Sequence, residues 1–172
     1  TPDPLIFRNE ASISGRRNVP QLKQNLTDIA ALKAGTVFFG GDIVMGYADD
    51  KGETLKTQTD AWVKVIKSAP KYAGSKYIVI SGNHELNRKH KDQKVSNPAT
   101  DPVWTKFVSE NKFIPAVHSD PTAASSPGDD LVGDQSALSF SYDQGSVHFV
   151  VLNTDTRVTK IDKETGKTKI GM

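Results

Sequence analysis

Two short stretches of this chain carry side chains able to bind cations and move protons. Gly40-Gly41-Asp42 offers a carboxylate. Ser81-Gly82-Asn83-His84-Glu85 offers a carboxamide, an imidazole and a second carboxylate. A carboxylate can bridge two divalent cations, and the carbonyl oxygen of Asn is a hard donor that adds no charge. An imidazole binds metal when neutral or passes a proton near neutral pH. Two cations ~3.5–4 Å apart can clamp a phosphoryl group and generate hydroxide from water at neutral pH. Such a site would suit phosphoester hydrolysis.

The elements that must position them are legible beside them. Thr36-Val37-Phe38-Phe39 precedes the first stretch and Tyr77-Ile78-Val79-Ile80 the second. Both are apolar runs of mainly β-branched and aromatic residues closed by a glycine or serine-glycine, the signal of a buried strand. The polar residues thus leave the C-terminal ends of two strands, the edge where ligands bind in open α/β sheets. Glycine before each polar group lets the backbone turn sharply off its strand.

The flanking sequence supplies helices. Asn18 reads as an N-cap, with Pro20 in the first turn and Gln21 three residues on. Leu22, Leu26 and Ile29 then fall at helical spacing, which predicts a helix over 19–33 ended by Gly35. Residues 43–53 read as a loop over the site. Leu55, Trp62, Val65, Ile66 and Ala69 predict a second amphipathic helix stopped at Pro70. A strand, a helix and a strand in this order, with a long crossover, predict a parallel pair and an α/β architecture.

Farther along, Arg88 to Lys94 is basic and reads as a solvated face, with a weaker reading as an attractor of anionic substrate. Asp101-Pro102 is expected to cap a short helix bearing Val103, Trp104, Phe107 and Val108. Residues 119–134, rich in Pro, Ala, Ser, Gly and Asp, read as a long surface loop. Ala137 to Tyr142 and Val147 to Leu152 flank Asp143-Gln144-Gly145-Ser146, a hairpin signal. A smaller polar hairpin is expected from 158–161 and 168–170. Trp62, Trp104 and Phe107 are expected in the core. His148 is expected to be exposed on its strand, and neither it nor His90 or His118 is assigned to metal. Asn153 and Asp155 follow a strand end, where they either make a turn or line a pocket.

Bulk properties narrow the classes. A chain of 172 residues suffices for one domain with a sizeable core. Lys plus Arg is 22 against 20 for Asp plus Glu, a net charge of +2, so nucleic acid is not expected as a partner. The absence of cysteine removes disulfides, thiolate metal sites and a Cys nucleophile. No apolar run approaches the ~18–20 residues of a membrane span. The opening Thr1-Pro2-Asp3-Pro4 is compatible with removal of a leader, and a cysteine-free chain with many Thr, Asn, Asp and Lys residues is compatible with a periplasmic or secreted protein.

Gly41-Asp42 followed by Gly82-Asn83-His84-Glu85, each after an apolar strand, resembles the calcineurin-like metallophosphoesterases. That family's pattern is Asp-x-His, then Gly-Asp, then Gly-Asn-His-Asp/Glu, then a separate His and a Gly-His-x-His block. The resemblance implies that Asp42 bridges two metals drawn from Fe, Mn and Zn, and that Asn83 binds the second. It implies that His84 lies near the phosphate and protonates the leaving oxygen, with Glu85 orienting His84. The implied fold is two mixed β-sheets packed face to face and flanked by helices. The substrate would be a small phosphomonoester or phosphodiester. No Asp-x-His precedes Asp42, where Asp3-Pro4-Leu5 stands, and no Gly-His-x-His follows Asn83. The expectation is a single domain truncated at both termini, with further ligands outside this stretch and no activity of the stretch alone. The alternative is a degenerate, non-catalytic binding module on the same fold.

Overall fold

The structure is a computed structural model that describes residues 15–46, 53–90, 93–97, 99–115, 136–153, 159–161 and 168–170. It is a mixed α/β arrangement. In chain order its elements are α1 (Gly15–Ala31), β1 (Thr36–Gly40), α2 (Glu53–Ser68), β2 (Lys76–Ile80), α3 (Asn83–Leu86), β3 (Asn87–His90) and β4 (Gln93–Ser96). They continue with α4 (Thr100–Glu110), β5 (Phe140–Gln144), β6 (Val147–Val151), β7 (Thr159–Ile161) and β8 (Thr168–Ile170). Among the described residues, no helix is long and apolar enough to cross a membrane.

The parallel pair is the spine. β1 lies beside β2 in register Thr36↔Lys76 through Gly40↔Ile80, so both polar stretches leave at the same edge. On the other side of β2, the Val79 N–H donates to the Phe113 carbonyl at 3.1 Å, so the chain leaving α4 runs along that strand. Strand side chains alternate faces, and here the two faces meet different layers. Val37, Phe39, Tyr77 and Val79 join the core formed with α2 and α4. Ile78 and Ile80 turn the other way, onto Phe140, Tyr142, Phe149 and Val151 of the β5–β6 hairpin.

The helical side is held by aromatic packing. On α2, Leu55, Thr59, Trp62 and Ile66 are buried at spacings of four, three and four, one stripe of a 3.6-residue helix. Trp62 is 0% exposed and meets Phe39 edge-on at a centroid distance of 5.1 Å. It also meets Phe107 at 6.1 Å and Phe113 at 5.7 Å, both edge-to-face, so one side chain ties the sheet to α4. The core assignments of Trp62, Trp104 and Phe107 made from spacing agree with this.

The β5–β6 hairpin pairs Phe140↔Val151 through Gln144↔Val147 and turns at Gly145, whose φ is +62°. Phe38 leans on Phe149 at 5.4 Å, and Thr36 Oγ1 donates to Gln144 Oε1 at 2.8 Å, fixing the hairpin against the parallel pair. His148 is exposed, as expected, and its Nδ1 lies 2.6 Å from the carboxylate of its cross-strand partner Asp143. Both side chains are more than half exposed. His148→Ala should therefore cost less than about 1 kcal/mol, read from a urea titration. The smaller polar hairpin is present as β7 paired antiparallel with β8.

Two local expectations are corrected. α1 begins at Gly15, so Asn18 is not its cap and Pro20 lies inside the helix. A capping preference of about 1 kcal/mol does not stop a helix that upstream residues continue. Pro20 falls just past the first four N–H groups, which have no intrahelical acceptor, so it removes one bond. The second is Asp101, which lies in the first turn of α4 with Ala99 at the N-cap position. The basic run Arg88–Lys94 carries a pairing that no periodicity marked. β3 and β4 pair there as an antiparallel hairpin, Asn87↔Ser96 to His90↔Gln93. Backbone pairing builds it without an apolar alternation. Its base is tied down by the Asn97 N–H donating to the Leu86 carbonyl at 3.0 Å. The 119–134 loop, the 47–52 part of the site loop, Asp3, His118 and Asp155 lie outside the described residues.

Candidate functional site

The register Gly40↔Ile80 brings the two strand ends side by side, and the next residues keep them in contact. Gly41 has φ +87°, and a Cβ there would sit 2.8 Å from the Cα and N of Gly82. A Cβ on Gly82 would overlap Asp42 Oδ1 and lie 2.5 Å from the Asp42 nitrogen. The two motifs therefore pass each other backbone to backbone, at a separation that only glycine on both sides allows. Asp42 itself is left-handed, φ +51°, a conformation Asp tolerates better than most residues.

That conformation aims the Asp42 carboxylate at the start of α3. Gly82 occupies the N-cap position and has no side chain to cap with. Asp42 Oδ1 supplies the missing acceptor from the neighbouring strand, taking the His84 N–H at 3.1 Å. The carboxylate of the first motif is thus fixed across the Gly82–His84 backbone, beside Asn83.

Glu85 closes the junction. Its side chain is 0% exposed. Oε2 accepts from the N–H of Gly82 at 2.7 Å and of Asp42 at 3.0 Å, and Oε1 accepts from the N–H of Val44 at 3.2 Å. One carboxylate therefore binds donors from both motifs. Burial pushes its carboxyl up to about 7, and the three amide hydrogen bonds pull in the other direction without cancelling the cost of removing a charge from water.

His84 is 2% exposed, and its Nδ1 lies 2.5 Å from the Met45 carbonyl. A carbonyl only accepts, so Nδ1 carries the proton and Nε2 holds the lone pair of the neutral ring. The Met45 carbonyl is in turn held on both sides. Glu85 anchors Val44, and the buried Gly46 N–H donates to Gln58 Oε1 of α2 at 2.8 Å. Glu85 and the His84 ring are thus linked through this loop. That is a longer route than a direct contact, and Gln58 and Met45 take part in it without any mark in the local pattern.

Next to this junction is a cavity of about 300 Å³ lined by Ile80, Ser81, Gly82, Asn83, Leu138, Leu152 and Asn153. Of the expected site residues, Asn83 lines it. Asp42 and His84 are not among the residues that line it. Asn153 takes the pocket-lining alternative left open for it. Leu138 and Leu152 belong to the hairpin segment and carried no functional signal of their own.

Asp42 and Asn83 offer hard oxygen donors at one edge, a donor type that suits hard cations such as Mn. Among the described residues, no three His, Cys, Asp or Glu side chains gather as a metal site. The donor chemistry fits a divalent cation, while a full coordination shell needs ligands beyond these two. A scan of protein-family models returns no match for this chain, and neither does a search of curated proteins.

Proposed function

We propose that this chain carries part of a metal-dependent phosphoester hydrolase of the calcineurin-like type, with Asp42 and Asn83 as ligands of a dinuclear centre. The observation that carries the proposal is the Asp42 carboxylate fixed on the His84 N–H, which sets both motifs at one point of one sheet edge. The layering supports the corresponding αββα fold. Helices cover one face of β1–β2, and the β5–β6 hairpin covers the other.

Divalent metals at such a centre supply Lewis acidity toward the phosphoryl oxygens and an activated water. The chain's own residues do the rest. Asp42 and Asn83 present oxygen donors from a backbone that cannot shift, because Glu85 holds Gly82, Asp42 and Val44 together. His84 has its Nδ1 proton on the Met45 carbonyl, so Nε2 is the atom at which it would exchange a proton with the leaving oxygen.

The test is turnover of p-nitrophenyl phosphate and its bis-ester by the full-length protein, with Mn²⁺ and then with chelator. Activity should vanish with chelation and return with metal, and Asp42→Ala should lower it at least about hundredfold. Unchanged turnover in chelator overturns the proposal. The second reading is a non-catalytic binding module on the same fold. It is favoured by the shortage of acidic and imidazole ligands among the described residues. Its signature is phosphate-ester binding without turnover at any metal concentration.

A further inference from the structure

The His84 ring, the Met45–Gly46 peptide and the Gln58 carboxamide form one hydrogen-bonded chain. The Met45 carbonyl and the Gly46 N–H are the two ends of a single trans peptide group. At one end the carbonyl accepts from His84 Nδ1, 2.5 Å away. At the other the N–H donates to Gln58 Oε1 at 2.8 Å. Both donors point the same way along the chain, so each bond polarises the next. Gln58 lies on the buried face of α2 with Leu55, Thr59 and Trp62, and is 9% exposed. A carboxamide in that company costs free energy unless it is hydrogen-bonded.

We infer that Gln58 is a positioning residue for His84: it pins the Met45–Gly46 peptide by its N–H and so keeps the carbonyl of that peptide on Nδ1. The proton then stays at Nδ1, and the lone pair of the neutral ring at Nε2. The pin matters because Gly46 stands at φ +60°. Turning the peptide group by half a revolution would leave Gly46 near a φ of about −120°, and glycine accepts both. The turned peptide would offer its N–H to the ring. The ring would answer with the other tautomer, Nδ1 accepting and the proton on Nε2. An imidazole answers either partner, so the tautomer follows the end of the peptide that faces Nδ1. Gln58 Oε1 keeps the carbonyl end there by holding the N–H end on α2. The tautomer stands on these contacts alone. Its consequence for the reaction rests on the hydrolase reading, in which Nε2 exchanges a proton with the leaving oxygen while Nδ1 keeps its own.

Long-range proton–nitrogen NMR spectra of the metal-free full-length protein at alkaline pH report which ring nitrogen of His84 carries the proton. In the wild type it should be Nδ1, with the Gly46 amide protected from hydrogen exchange. Gln58→Met keeps nearly the same volume and removes the acceptor. Gly46 should then exchange at least about tenfold faster, and the tautomer protonated at Nε2 should appear. Gln58→Glu keeps an acceptor oxygen in either charge state and should show the wild-type tautomer. With Mn²⁺ and p-nitrophenyl phosphate, Gln58→Met should lower kcat about tenfold with KM unchanged, and Gln58→Glu should restore it. The inference is overturned if the wild type carries its proton on Nε2, or if folded Gln58→Met keeps the wild-type tautomer, which is what a role in stability alone would give. Should Gln58→Met not fold, loss of the Nδ1 proton in folded Gln58→Glu overturns it equally. A tautomer that follows the variants in a protein without turnover upholds Gln58 and removes the hydrolase. Metal-dependent turnover with a tautomer that ignores the variants does the reverse.

Discussion

Gly46→Ala should leave little folded protein at 25 °C. Gly46 is buried with φ +60°, and a Cβ there would overlap the carbonyl oxygen and carbon of His84. Those are backbone atoms, so no rotamer change relieves the clash, and the loop must leave its place. Leaving breaks the buried Gly46 N–H bond to Gln58 and withdraws the Met45 carbonyl from the His84 ring. The left-handed φ adds about 1 kcal/mol of strain for any residue with a Cβ. The sum should exceed about 4 kcal/mol, the range reserved for a few named mechanisms such as this one. The control is Gly40→Ala, where an added Cβ meets nothing within 4 Å. It should stay within about 1 kcal/mol of the wild type in a urea titration. Equal stability of the two variants would mean that the 42–46 loop does not pack on α3 as described.

The second large effect is expected at Glu85. Glu85→Ala strips the acceptor from three amide N–H groups and opens a hole in a fully buried place. Each orphaned donor costs about 1–3 kcal/mol, so a loss of at least about 3 kcal/mol is expected at pH 5. Glu85→Gln separates charge from shape. Its carbonyl can replace only one of the two oxygens, and its NH₂ then faces an N–H. The native carboxyl is raised from an ordinary value of 4.5 to about 7 by burial. The native state therefore binds the proton more tightly than the unfolded chain. The stabilisation this brings is full below pH 4.5 and is lost as pH rises through 7. In the metal-free protein, Glu85→Gln should thus look more damaging at pH 5 than at pH 8, by an amount on the order of 3 kcal/mol. A penalty for Glu85→Gln that is the same at both pH values would show that the amide donors, and not burial, set the charge state.

What the sequence disclosed was whatever depends on local pattern. The runs at 36–39 and 77–80 lie within β1 and β2, and the apolar stripe of Leu55, Trp62 and Ile66 lies on α2. Strand ends closed by glycine marked where the polar residues emerge, and the parallel register then set Asp42 against Gly82 and His84. The parts it did not disclose are relations between distant residues that carry no periodic mark. Nothing in the composition of Met45 or Gln58 says that one holds an imidazole and the other holds its neighbour. β3 and β4 were hidden because Arg, Lys, His and Gln have no apolar alternation to report pairing. The role of Glu85 was half visible. Its place in the motif was clear, but its partners are main-chain atoms, which no side-chain pattern encodes.

Every residue of β1 pairs with one forty positions on, Thr36 with Lys76 and so to the end. Closing so long a loop costs chain entropy before any contact rewards it, and such pairings form late. The hairpins can assemble from near neighbours, whereas the Asp42–His84 junction exists only once that distant pairing is complete. A chain released from the ribosome would accordingly acquire helices and hairpins before Asp42 meets the start of α3. The junction would then form in a single step, shared with the last stage of folding.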